Sequence, residues 1–315
     1  MQYNNTINIV MKRSLLFLAV ALFALMAQAG SKTYLPGVFS VSPTQKVAFS
    51  TGNLQYQAYT GALRFADHQY DYVGDAKKGN VMFAFDKCDN RQINQYYEGW
   101  IDLFGWGTGE NPALATDNVK DYNFFAEWGE KAILNTGLLR EPWRTLNWDE
   151  WLFLLGSRPN ADNLHGQATV NGIHGYILLP DNWQLPKKLT FTPNPNNWTT
   201  NVYSASQWKQ MEKNGAVFLP ACGYRVGREV SLVGLYGFYW SSSVYEDFST
   251  DDARNIFFSE KKLGPRDHEK RFYGLAVRLV IDLVSKPSAA PQTESSESSS
   301  EPTQMVLPPT NAEME

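Results

Sequence analysis

The run over 275–284, LAVRLVIDLV, leaves little choice but a β-strand. Leu275, Val277, Leu279, Ile281 and Leu283 fall on one face at period two, and Ala276, Arg278, Val280, Asp282 and Val284 fall on the other. One face is fully apolar, so the rest of the chain must supply a core for it to cover. Two shorter strands precede it, 237–240 (GFYW) and 255–258 (NIFF), separated by polar loops.

Two helices carry start signals. In 147–156 (NWDEWLFLLG), Asn147 caps and Glu150, the third helical residue, reaches back to the cap. Ser204 and Gln207 repeat this arrangement in 204–215 (SASQWKQMEKNG), and Gly156 and Gly215 mark the stops. Trp151 and Trp208 are the inward-facing structural residues of these helices. After each helix comes a strand of the form G-x-[IV]-x-L-P, at 175–180 and 215–220. The proline ends each strand because it cannot donate to a ladder. Residues 47–57 and 63–73 read as hairpin material, and the Gly- and Trp-rich 100–112 as irregular, self-packed structure. Strands beside two short helices predict an α+β fold, with short antiparallel strands and much irregular structure.

The ends of the chain differ in kind from its middle. Basic residues in 11–13 (MKR), an apolar run over 15–26 and Ala27-Gln28-Ala29 describe a secretory signal over 1–29, with the residues before Met11 as an upstream extension. The run is shorter than the roughly 20 residues that span a bilayer. The expected product is an exported protein of the periplasm, cell surface or extracellular space, with no transmembrane segment after cleavage. Residues 285–315 are rich in Ser, Glu and Pro, carry five Glu against one Lys and lack aromatics, which predicts a disordered tail. The domain between, 30–284, holds 25 basic and 27 acidic residues. That near balance excludes the clustered positive charge that nucleic acid demands. Aromatics are 14% of the chain and absent from the tail, so the domain can build a large core. Cys88 and Cys222 are the only cysteines, and they either form one bridge or stand as two buried thiols.

Motifs for catalysis are missing. His68, His165, His174 and His268 show no metal-ligand spacing, and His165 and His174, flanking a hairpin candidate, read as surface or turn residues. No serine sits in a nucleophile elbow, and there is no phosphate-binding glycine loop. Glu246-Asp247 and Asp251-Asp252 read as solvated loop charges; no cofactor is expected, and a structural calcium ion is left open.

Several segments in one order carry a resemblance: FSVSPTQKVAFSTGNLQY, DYVGD, IDLFGWGTG, WRTLNWDEWLFLL, GYILLPDNW, NGAVFLPACGYR, GFYWSSS and YGLAVRLV. Together they resemble a large family of exported proteins of Gram-negative anaerobes, the family named for the major paralogous domain of Fibrobacter succinogenes. The resemblance spans 38–280 and implies a C-type-lectin-like fold related to formylglycine-generating enzymes and retroelement variable proteins. In that branch Arg144-Thr145-Leu146 with Glu150-Trp151, and Arg271, Gly274 and Val277-Arg278, are framework elements. The resemblance makes Trp240 a core residue and Arg278 the partner of a buried carboxylate or carbonyl. Formylglycine-generating enzymes use a pair of copper-binding cysteines, whereas the matching half here holds Cys222 alone, so oxidase chemistry is not carried over. What the resemblance implies instead is a non-catalytic recognition protein that binds a glycan or a surface protein. Its ligand face is expected in loops between Trp240 and the closing strand, with Tyr245, Asp247, Asp251, Asp252, Lys261, Lys262, Arg266 and His268 projecting from one rim. The alternative expectation is a structural or assembly component of the cell envelope, with the acidic tail as spacer.

Overall fold

The computed structural model describes residues 34–73, 89–94, 96–136, 142–247 and 249–283. The expected signal over 1–29, the tail over 285–315 and Cys88 lie outside the described residues. In chain order the elements are β1 (Phe39–Ser40), β2 (Lys46–Phe49), β3 (Leu54–Gln57), β4 (Ala62–Phe65), α1 (Trp148–Leu152), β5 (His165–Val170), β6 (Ile173–Leu178) and β7 (Val202–Tyr203). They continue with α2 (Ala205–Lys213), β8 (Val217–Pro220), β9 (Tyr224–Val226), β10 (Glu229–Ser231), β11 (Tyr236–Val244), β12 (Asp252–Ser259), β13 (Leu263–Lys270) and β14 (Val280–Asp282).

This architecture overturns the expected α+β, C-type-lectin-like arrangement. The described residues form mostly strands, in five small sheets: β1-β2-β14, β3-β4, β7-β5-β6-β8, β9-β10 and β11-β12-β13. The two α-helices have five and nine residues. Helices that short cannot present an apolar stripe long enough to cover a sheet as a layer of their own. Both capping boxes nonetheless form as their residues suggest, Asn147 with Glu150 and Ser204 with Gln207. Helix α1 then widens into a π-turn over Phe153–Ser157, and Trp151 and Trp208 are buried.

The two G-x-[IV]-x-L-P strands pair with each other. Strand β6 lies antiparallel to β8, with Gly175 opposite Pro220 and Leu178 opposite Val217. Strands β5 and β6 meet in a two-residue turn at Asn171 and Gly172, whose φ values of 51° and 82° are what a type I′ hairpin turn requires.

The closing segment runs between two cores. Leu275, Val277, Leu279 and Ile281 pack into a cluster with Phe104, Trp106, Trp128 and Trp240. Ala276 and Val280 pack into a second cluster with Phe39, Trp151, Tyr176 and Tyr239. Backbone bonds tie the segment to distant stretches: Ser50 N–H donates to Leu279, Leu54 to Val277, Trp240 to Ala276, and Phe104 and Leu275 exchange both bonds. The expected strand is thus shorter than read from the sequence: regular pairing covers only Val280–Asp282, with isolated bridges at Gly274, Leu275 and Ala276, yet the alternating faces hold, and through Val280 the opposite face is buried as well.

Candidate functional site

A cleft of about 490 Å³ opens where the β5–β8 sheet meets the β11–β13 sheet, lined by His174, Trp198, Thr199, Leu235, Tyr236, Ser259, Glu260 and Lys261. Its size lies within the range of small-ligand sites. Each wall has a local cause. Trp198 and Thr199 come from the Asn- and Pro-rich segment 193–201, in which Asn194 and Asn196 take positive φ. The Asn197 side chain accepts the backbone N–H groups of Thr199 and Thr200, and Asn201 donates to the carbonyls of Gln167 and Thr192. These side chains substitute for the missing ladder and hold the loop in one shape.

His174, on β6, stacks on Trp198 with ring centroids 5.1 Å apart and planes 8° from parallel. Its Nδ1 donates to the Gly234 carbonyl at 2.9 Å. Tyr236 and Ser259 are register partners at the end of the β11–β12 ladder, and Glu260 and Lys261 occupy the turn into β13. The floor is aromatic and the rim offers hydroxyls, a carboxylate and an ammonium. Among the described residues, neither Glu260 nor Lys261 has a hydrogen-bonded side-chain partner, so both rim charges are available.

The eight residues expected on one rim are divided by the hairpin. Strand β12 has eight residues and spans about 26 Å. Lys261 and Lys262 sit at one of its ends, and Tyr245, Asp247 and Asp251 at the other. Only Lys261 lines the cleft. Lys262 places its Nζ 5.0 Å from the Phe257 ring centroid. Asp252, His268 and Arg266 lie in strands rather than loops. Tyr245 is buried, stacked on His268 at 3.8 Å, and His268 Nδ1 bonds Asp252 at 2.9 Å. The Arg254 guanidinium lies between the Trp148 ring, at 4.0 Å, and the Tyr245 ring, at 4.2 Å, and pairs with Asp247. Arg266 lies 5.9 Å from the same Trp148 ring. Lys270 pairs with Asp252 at 2.7 Å, and Lys270 and His268 hold that carboxyl below its usual range against the opposing effect of burial. Paired this thoroughly, the cluster reads as a clasp on the hairpin.

His165 is a second correction. It is buried rather than at a surface turn, with Nε2 donating to the Leu155 carbonyl at 3.0 Å and Nδ1 2.7 Å from the Tyr176 hydroxyl. Burial pushes its pKa down, partly offset by the Leu155 and Asn194 contacts. The unfolded chain therefore takes up a proton below about pH 6.5 that the folded chain refuses, and stability contributed here is lost as pH falls through that point. We expect His165→Gln to flatten the decline of unfolding free energy between about pH 6.5 and 5. Denaturant titrations at four pH values check it, and an unchanged slope speaks against the neutral, buried imidazole.

Cys222 is a buried free thiol, raised in pKa by burial, and its expected alternative partner Cys88 lies outside the described residues. On β13, burial and then the neighbouring Asp267 and Asp252 push the Glu269 carboxyl up to about 7. Among the described residues, no group of three or more His, Cys, Asp or Glu side chains converges on one point, and no helix is long and apolar enough to cross a membrane.

A family model described as a domain of unknown function, DUF8237, matches residues 194–280. That span includes the Trp198 loop, α2 and strands β8 to β13, hence every lining residue of the cleft except His174. No curated protein and no solved structure matches the chain.

Sequence reasoning missed His174, Trp198, Tyr236, Ser259 and Glu260. One signal was present: Trp198 is a lone large aromatic in an Asn-Pro-rich turn, PNPNNWTT, where helix and strand patterning give it no reason to be.

Proposed function

We propose that the protein is a non-catalytic recognition protein and that the His174–Trp198–Lys261 cleft is its binding site, taking a saccharide unit of a glycan. The observation that carries this reading is the pairing of an aromatic wall, half-buried Tyr236 beside the buried Trp198, with two rim charges, Glu260 and Lys261, that have no hydrogen-bonded side-chain partner among the described residues. The half-buried Tyr236 ring can meet the C–H face of a pyranose, and Ser259, Glu260 and Lys261 can exchange hydrogen bonds with its hydroxyls. Non-catalytic action is favoured by the rim itself, because Glu260 and Lys261 sit in a turn with no supporting hydrogen bonds to fix a reacting geometry. Export to the cell surface or beyond fits such a ligand and remains part of the proposal.

A glycan array followed by calorimetry on the best hit tests it. Lys261→Ala and Glu260→Ala change exposed or half-exposed turn residues, so stability should move by no more than about 0.5 kcal/mol. Each is expected to weaken the hit by tenfold or more. Normal binding in both variants, with loss instead in Arg266→Ala, places the ligand elsewhere.

A further inference from the structure

Strand β13 contains Arg266-Asp267-His268-Glu269-Lys270, an alternation of charge rather than of hydropathy. In a strand, successive side chains point to opposite faces. The alternation therefore gives β13 one basic face and one acidic face. The basic face is neutralised where it lies: His268 and Lys270 bond Asp252, and Arg254, the register partner of His268, bonds Asp247.

The acidic face has no such partner. Asp267 lies opposite Asn255, which lies opposite Trp240, so the three form one row across the sheet. Glu269 lies opposite the buried Ala253. Neighbours in a row are about 5 Å apart between Cβ atoms, and Asp267 and Glu269, two residues apart on one strand, about 7 Å. Two half-buried carboxylates and one amide thus share a small patch, and neither carboxylate forms a salt bridge with any described residue. Lys262 and His268 are the nearest positive charges to Asp267, but Lys262 lies over Phe257 and His268 is engaged on the other face.

Asn255 supplies the independent observation. It is fully buried, and neither its Nδ2 nor its Oδ1 has a hydrogen-bond partner among the described residues. Leaving a buried amide unpaired costs about 1–3 kcal/mol, so an arrangement of this kind implies something that occupies the space. A bulge, with Pro265 and Arg266 on β13 set against Ile256 alone on β12, shifts the strand beside this patch.

We propose that Asp267, Glu269 and the Oδ1 of Asn255 form a calcium site. All three ligands are hard oxygens, the charge they offer matches a divalent cation, and Ca²⁺ accepts an irregular set completed by water where Mg²⁺ demands a near-ideal octahedron. With three protein ligands the site belongs to the weak class, with a dissociation constant of about 0.1–1 mM.

The test compares wild type with the Asp267→Asn/Glu269→Gln double variant, after chelation, in 5 mM CaCl₂ or 5 mM MgCl₂ at pH 7.5. The variant removes mutual repulsion, so it is expected to fold. Calcium should raise the wild-type Tm by roughly 3 °C or more and leave the double variant unmoved. Terbium supplies a readout independent of stability: emission sensitised by the neighbouring Trp240 should appear in wild type and fall at least fivefold in the variant. No calcium response, or an equal response in the variant, overturns the site. An equal rise with magnesium overturns the choice of calcium.

Discussion

Trp240→Ala is expected to destabilise the protein by about 3–5 kcal/mol, the range for truncating a buried aromatic. The side chain is 1% exposed and belongs to the cluster that the closing segment covers, beside Phe104, Trp106, Leu275 and Val277. Its Nε1 donates to the Phe104 carbonyl at 2.7 Å. That carbonyl also accepts from Leu275 N–H, so it keeps a partner when the indole is gone. The cost is then mainly the cavity, and Trp240→Phe, which refills most of it, should cost less than half as much. Guanidinium unfolding of the three proteins measures the difference. An alanine variant as stable as wild type but unable to bind ligand would reverse the assignment and make Trp240 a binding platform.

Arg278→Ala should be comparably severe, at about 3 kcal/mol or more, for a different reason. The guanidinium is buried and forms no salt bridge with a described residue; Nη1 donates to the Ser50 carbonyl at 3.1 Å and Nη2 to the Phe218 carbonyl. Burial depresses its pKa to about 10, against the opposing pull of Tyr239, Glu212 and Cys222. Removing it deprives two buried carbonyls of donors and opens a void between the β8 strand and the segment after β2. It also relieves the desolvation of a buried charge, which is why the series matters. Arg278→Met restores the volume without the charge and should fall between alanine and wild type. Arg278→Lys keeps the charge but cannot span two carbonyls with one planar fork, so it should also be destabilised. If methionine proves more stable than wild type, the guanidinium is a net liability to the fold.

Legibility followed the type of signal. Asn147 with Glu150 and Ser204 with Gln207 are local, and both capping boxes formed. The period-two hydropathy of 275–281 marked an extended, buried segment but neither its regular pairing, which is confined to Val280–Asp282, nor its setting, because one buried face looks the same in sequence whether the other meets solvent or a second core. Strand β13 escaped notice because LGPRDHEK alternates in charge rather than hydropathy; among the described residues it is an edge strand, where its Pro265 is tolerated. The fold class was misjudged because a list of short strands beside two helices does not say how those strands pair. The candidate rim failed on distance, since a hairpin makes neighbours of residues across it and strangers of residues along it. Lys261 and Tyr245 belong to one polar stretch of the sequence but lie at opposite ends of β12.

The position of the closing segment bears on the order in which the chain can fold. Val280 pairs with Phe49 and Arg144, and the segment's backbone also reaches Ser50, Leu54 and Phe104. Loops of that length must close before the contacts that reward closure exist, which makes folding of such topologies slow. On a ribosome, a nascent chain that stops before Leu275 holds the lining of two cores with nothing between them. Both apolar walls stay open until residue 281 has emerged, and until then they are exposed to aggregation.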